Sequence, residues 1–324
     1  MTTSSNLLPE LAVAAALPQP DVSDVLAARA ASDAAADTAN AALSSDGVDV
    51  RLVTIPGEQD APDVPVRLLR PEGAAGTLPV LVAMHGGGYV LGRAVDFDYL
   101  CLEIVRELGI AVVNVEYRLA PEAPFPAALD DCSTVLRHVA RHGADLGLDP
   151  DRIAVGGSSA GGGLAAGLAL RTRDEDGPRI AFQLLLSPAL DDRITRTPEA
   201  SFDSSPTLSR TTGELLWSYY LGPDYAGPDD PDVSVYAAPA RAEDLSGLPP
   251  AYIAAMELDP VRDQDIDYAL RLLQSGVGVE LHSHAGTFHG SVEFAPEAAS
   301  SARIRAGMIV ALGRALGVAS PPAS

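Results

Sequence analysis

Apolar residues in this chain of 324 residues recur in two rhythms. Over 48–55 and 64–70 they alternate with polar ones, which predicts a pair of half-buried antiparallel strands. Over 79–84, 110–115, 153–155, 180–186, 251–255 and 277–282 they form short, mostly apolar runs, the mark of strands buried in a sheet. Between most of these runs the period lengthens to that of a helix, over 96–108, 127–140, 160–173 and 263–274, and a last amphipathic helix is predicted over 299–316. Strands alternating with helices imply an α/β chain with a mostly parallel eight-stranded sheet covered on both faces.

Two stretches break the rhythm. Residues 1–45 lack glycine and are rich in alanine, and Asp24 is placed to cap a helix running towards Leu43; this predicts a helical arm outside the sheet. The stretch between Leu186 and Ala251 is too long for a plain connection. It is rich in Pro, Asp and Ser, with one helical patch over 212–221 that carries Trp217, Tyr219 and Tyr220. Insertions of this kind are often lids or binding loops, the alternative being a solvent-facing excursion. The chain's single tryptophan lies there beside two tyrosines, which favours a lid. The expected division is therefore an arm over 1–45 and a main domain over 46–318 with an insertion at about 190–235.

Composition narrows the chemistry. Hydrophobic residues make up 47% and charged residues 20%, so the chain is globular. A net charge of −22 repels nucleic acid and anionic membranes, and neither is an expected partner. Every basic side chain apart from histidine is arginine. The missing lysine excludes a Schiff-base lysine, a P-loop lysine and a Ser-x-x-Lys dyad. Cys101 and Cys132 fall in predicted helices and read as buried free thiols in a reducing, cytoplasmic setting. The N-terminus has no basic segment before Arg29, and the apolar run 11–17 is too short to span a bilayer. No metal is expected. His282 and His284 alternate along a strand with no third ligand suggested, and His138 and His142 read as surface positions of a helix.

The candidate chemistry starts at Gly157-Ser158-Ser159-Ala160-Gly161, a G-x-S-x-G pattern between the apolar run 153–155 and an Ala- and Gly-rich helix. A serine hydroxyl is a poor nucleophile and must stand clear of its chain to meet a base. A sharp strand-to-helix turn does this, and the flanking glycines remove side chains where helix and strand pass closely. Ser159 is the candidate nucleophile, and the N–H of Ala160, at the helix start, can face a developing oxyanion. Taken alone, the motif also fits an inert glycine-rich turn.

His85-Gly86-Gly87-Gly88-Tyr89 directly follows the strand 79–84, and its glycines let backbone N–H groups face a cavity. Gly86 and Gly87, with Ala160, are the candidate oxyanion hole. A phosphate loop fits poorly, since no G-K-[ST] follows. Asp259 lies at the carboxyl end of the strand 251–255, where sites form in open α/β sheets, with Glu257 as second choice. Asp263 is the expected cap of the next helix, which would leave Asp259 free. His289 sits between Gly286 and Gly290 in a predicted loop after the last strand. The order Ser159, Asp259, His289 is that of an α/β-hydrolase triad.

Together these pieces resemble the bacterial hormone-sensitive-lipase-like carboxylesterases. The matching segments are 85–88, Tyr117-Arg118-Leu119-Ala120-Pro121-Glu122, 157–162, Asp259-Pro260-Val261-Arg262-Asp263 and 286–290, and the likeness spans about residues 45–316. It implies an α/β-hydrolase fold with a helical cap made from the arm and the insertion. It also implies hydrolysis of short acyl esters through an acyl-enzyme, without a cofactor. Competing readings are a ligand receptor on the same scaffold, and an amidase or thioesterase using the same triad. Tyr89, Trp217 and Tyr220 are candidate pocket walls. His85 and Glu122 are expected to support the loops, with Glu122 and Arg118 buried. A homodimer through the edge strand 277–282 is a family-level expectation. Two positions depart from the family pattern. Ser158 stands where aspartate is usual, which removes a negative charge beside the nucleophile, and Ser291 stands where phenylalanine is frequent.

Overall fold

The computed structural model describes residues 6–18, 21–58, 61–194 and 205–318. Its strands are β1 (Val48–Ile55), β2 (Val64–Pro71), β3 (Leu78–Met84), β4 (Ala111–Val115), β5 (Leu148–Ser158), β6 (Phe182–Leu186), β7 (Ala251–Leu258) and β8 (Val279–Phe288). They form one sheet in the order β1-β2-β4-β3-β5-β6-β7-β8. β2 pairs antiparallel with β1 and β4, and the remaining pairs are parallel.

The helices are α1 (Ala12–Ala15), α2 (Val25–Asn40), α3 (Asp98–Leu108), α4 (Ala127–His142), α5 (Ala160–Asp174), α6 (Arg210–Leu221), α7 (Arg262–Gln274), α8 (Ser291–Phe294) and α9 (Ala299–Ala315). The Asp24 side chain accepts the Ala27 N–H at 3.0 Å and starts α2, which stops at Asn40, short of Leu43. Ser209 starts α6 in the same way through the Thr212 N–H, two residues before the predicted start.

Two apolar layers sandwich the sheet, and the strands feed them with period two. On β3, Val80, Val82 and Met84 join one layer with α4, α5 and α7. Leu81 and Ala83 join the other with α3 and α9. Burying so many aliphatic side chains, at roughly 1.5–3 kcal/mol each, drives the fold and sets the strand register.

Two strands run beyond their apolar cores. β5 takes in residues 149–152, an Asp-Pro-Asp-Arg stretch, and β8 continues through His282 and His284 to Phe288. β8 is last in the sheet order, so its polar positions reach solvent and no unbroken apolar run marks its length. His289 therefore follows the strand directly rather than lying within a loop. Cys101 and Cys132 are free and buried. Among the described residues no helix is long and apolar enough to cross a membrane.

Candidate active site

Four strands deliver residues to one edge of the sheet. β3 ends at the glycine loop, β5 at Ser159, β7 at Asp259 and β8 at His289. Ser159 occupies the single residue between β5 and α5, with φ 53° and ψ −117°. A non-glycine residue in such a conformation persists only where its surroundings over-determine it. Here its N–H donates to the Leu186 carbonyl at 2.8 Å, and its own carbonyl accepts from Gly163 at 3.0 Å and Ala189 at 2.9 Å. α5 presses onto the end of β3 so closely that a Cβ on Gly161 would lie 2.1 Å from the Met84 carbonyl oxygen.

His289 bridges Ser159 and Asp259. Its Nδ1–H donates to Asp259 Oδ2 at 2.7 Å, leaving Nε2 to accept the Ser159 hydroxyl at 2.8 Å. Asp259 is fully buried. Its second oxygen, Oδ1, accepts the Val261 N–H at 3.0 Å. The expectation that Asp263 caps the next helix is thus corrected. α7 has Val261 at its cap position without a side-chain cap, and Asp263 lies in the first turn beside Arg262. One carboxylate, Asp259, both ties the start of α7 and orients the histidine. Burial works against a charged imidazole, yet the Asp259 carboxylate outweighs it and holds His289 above its ordinary 6.5, with a further contribution from Glu293. Glu257, the second-choice acid, accepts the Gly286 N–H and the Asn6 amide instead.

The glycine loop faces the serine. A Cβ on Gly86 would lie 3.6 Å from the Ser159 Cβ. Gly87 has φ 117°, and a Cβ there would meet the Leu91 carbonyl at 2.0 Å. The Gly87 carbonyl accepts from Val90 at 3.1 Å and Leu91 at 2.8 Å, which closes the loop on itself. Ala160 is the first residue of α5, where N–H groups lack intrahelical partners.

His85 lies behind the loop. Its Nδ1–H donates to the Gly86 carbonyl at 2.7 Å, and its ring stacks on Tyr117 at 4.1 Å. Burial pulls its imidazole down to about 4, so it is neutral. Glu122 and Arg118 do tie loops together but are exposed, which corrects their expected burial. Arg118 pairs with Asp131 at 2.7 Å. Glu122 pairs with Arg29 of α2 at 2.7 Å, and the same guanidinium donates to the carbonyls of Val90 (2.8 Å) and Ala120 (2.7 Å).

Tyr89, Trp217 and Tyr220 are all buried and meet one another. Tyr89 stacks on Tyr220 at 3.7 Å, and Trp217 lies 5.5 Å from Tyr89. They join α6 to the glycine loop. Beside them, Leu216 packs where a Cβ on Gly88 would come within 2.5 Å of its Cδ1. Leu216 groups with Val22 and Ala28 of the arm and with Val90, Leu91 and Ala120, so the arm and α6 meet over the loop. After 204 the chain also touches the segments that carry Asp259 and His289: Ser205 Oγ donates to the Leu258 carbonyl at 2.6 Å, and Thr207 Oγ1 donates to the His289 carbonyl.

Sequence reasoning missed Arg29, Ser205, Thr207, Leu216 and Glu293. Leu216 had a signal, its place beside Trp217 on an amphipathic patch. The polar four are single residues without a motif. At the elbow, the buried Ser158 hydroxyl donates to the Glu293 carboxylate. Among the described residues, no three or more His, Cys, Asp or Glu gather as metal ligands.

The profile of the family described as alpha/beta hydrolase fold matches residues 81–293. The chain is similar to carboxylesterase NlhH of Mycobacterium tuberculosis (strain ATCC 25618 / H37Rv), with 39% identity over 254 residues, 78% of this chain and 79% of that protein. Among solved structures it is similar to a bacterial heroin esterase, at 51% identity and a TM-score of 0.92, over 96% of this chain and 98% of that one. It is also similar to esterase LipW from Mycobacterium marinum, at 38% identity and a TM-score of 0.85, over 96% of each chain.

Proposed function

We propose, from the premise that this chain belongs to the alpha/beta hydrolase fold family and is a serine carboxylic-ester hydrolase, that Ser159, His289 and Asp259 carry its reaction on short acyl esters. The observation that carries this reading is the continuous hydrogen-bond chain from Ser159 Oγ through His289 to the buried Asp259 carboxylate. Ser159 Oγ attacks the ester carbonyl while His289 Nε2 takes its proton. Asp259 fixes the Nδ1–H tautomer and stabilises the imidazolium. The N–H groups of Gly86, Gly87 and Ala160 receive the oxyanion, each donor supplying roughly 3–4 kcal/mol. His289 then protonates the leaving alcohol, and water, activated by the same imidazole, releases the acid and restores Ser159.

The described parts of the arm and of the insertion form the cap; residues 195–204 of the expected insertion lie outside the described residues. The packing of Leu216 against Gly88, with the aromatic cluster beside it, supports a short acyl group. Such an enzyme hydrolyses p-nitrophenyl acetate and butyrate well and laurate or palmitate poorly; preference for the long chains would refute that part. A homodimer through the outer edge of β8 and a cytoplasmic setting belong to the same reading. Sedimentation of the free protein tests the dimer.

A burst of p-nitrophenol equal to the enzyme concentration, lost in Ser159→Ala, tests the nucleophile. A receptor on this scaffold would release no burst.

A further inference from the structure

The serine at 158 leaves the elbow without the carboxylate that an aspartate would bring there. The fold returns one from elsewhere. Ser158 is 3% exposed, and its hydroxyl donates to Oε1 of Glu293. Glu293 stands on α8, which starts directly after Gly290, so the carboxylate is delivered by the segment that also carries His289. Its other oxygen, Oε2, faces Gly290, where a Cβ would lie 3.6 Å away.

We propose that Glu293, held by Ser158, is a positioning residue that keeps a carboxylate on the segment carrying His289 and so favours the imidazolium formed when Ser159 gives up its proton. This rests on the assignment of Ser159 and His289 as the reacting pair.

The charged and titratable groups around the carboxylate come from several elements. Tyr99 of α3 faces it: burial and then the Glu293 charge push that phenol well above its ordinary range. Arg305 of α9 acts on the same phenol, but its guanidinium is tied to Glu103 at 2.5 Å and to the Pro296 carbonyl at 2.8 Å. Asp259, from the loop after β7, bonds His289 directly. His289 thus lies in the field of two carboxylates, with Asp259 the stronger and Glu293 acting in the same direction. A charge that stabilises imidazolium also raises the pH at which His289 becomes a base, so removing it moves the acid limb of kcat/KM to lower pH.

The test follows kcat/KM for p-nitrophenyl acetate across that limb in the wild type, Glu293→Gln and Ser158→Asp/Glu293→Gln. In Glu293→Gln the limb moves to lower pH, and the ratio of acid-side to plateau activity rises about threefold. In the double variant the carboxylate returns on residue 158, and the limb moves back towards its wild-type position. An unmoved limb in a Glu293→Gln protein with wild-type thermal stability overturns the proposal. If Glu293→Gln does not fold, Ser158→Asp/Glu293→Gln is compared with Ser158→Asn/Glu293→Gln. The limb then sits at higher pH in the aspartate variant, and coincident limbs overturn the proposal. Ser159→Ala separates the two failures. If it remains active, the nucleophile assignment falls; if it is inactive while the Glu293→Gln limb stays put, only the role of Glu293 falls.

Discussion

On the sheet side of the site, Ser159 is fixed by three backbone hydrogen bonds and by glycines that leave no room between α5 and β3. On the cap side, α2 and the chain after 204 meet the site through side chains: Arg29 on the glycine loop, Ser205 and Thr207 on the loops of Asp259 and His289, and the apolar and aromatic contacts of α6. The two sides carry different loads. A serine held at φ 53° needs a frame that cannot relax, and close backbone packing provides it. In the proposed reading the cap covers substrate and must form and release contacts, and side-chain ties over an apolar patch suit that. Damage on the sheet side is therefore expected to be large, and damage on the cap side graded.

The largest effect is expected at Asp259. Asp259→Asn loses the carboxylate that selects the histidine tautomer, so kcat/KM should fall about ten-thousandfold while the fold stays intact by circular dichroism. In the wild type, His289 is held above 6.5 and must be neutral to act as a base. Activity should thus be lost on acidification at a pH above the ordinary imidazole value, and an acid limb below it would contradict the electrostatics described here. Next comes Gly161→Ala. Its Cβ would sit 2.1 Å from the Met84 carbonyl oxygen, a backbone atom that cannot yield. A loss of about 3 kcal/mol, more than a hundredfold in the folding equilibrium, should appear in the denaturant midpoint.

Arg29→Ala tests the cap side. It removes three ties between α2 and the loops at the site, and kcat/KM should fall about tenfold with about 1–2 kcal/mol of stability. The smallest effect belongs to Glu122→Gln. The carboxylate side chain is 57% exposed, and Arg29 keeps its two carbonyl partners, so the change should be under about 1 kcal/mol with activity nearly unaltered. If Arg29→Ala proved as damaging as Asp259→Asn, the contrast between frame and cap would collapse.

What could be read from the sequence divides along the same line. The sheet, its helices and the residues Ser159, Asp259 and His289 were legible because each sits in a short apolar or glycine-marked pattern whose cause is local. The extent of β8 was not, since an edge strand with alternating polar positions lacks a continuous apolar run. The second task of Asp259, holding the Val261 N–H, was hidden because Asp263 offered an equally good cap by spacing alone. Glu122 and Arg118 looked like buried supports, and their exposure depends on where the loop emerges. Arg29, Ser205, Thr207 and Glu293 act through partners far away in the chain, so only the folded arrangement shows them. The missing charge at Ser158 was visible, whereas its replacement by Glu293 was not.

The most direct test of the central claim is to mix the enzyme with p-nitrophenyl acetate, quench within the burst, and locate the acetyl group by peptide mass spectrometry. One acetyl per chain is expected, on Ser159, absent from Ser159→Ala and long-lived in His289→Ala once formed. An acetyl group on any other residue, or full turnover by Ser159→Ala, would contradict it.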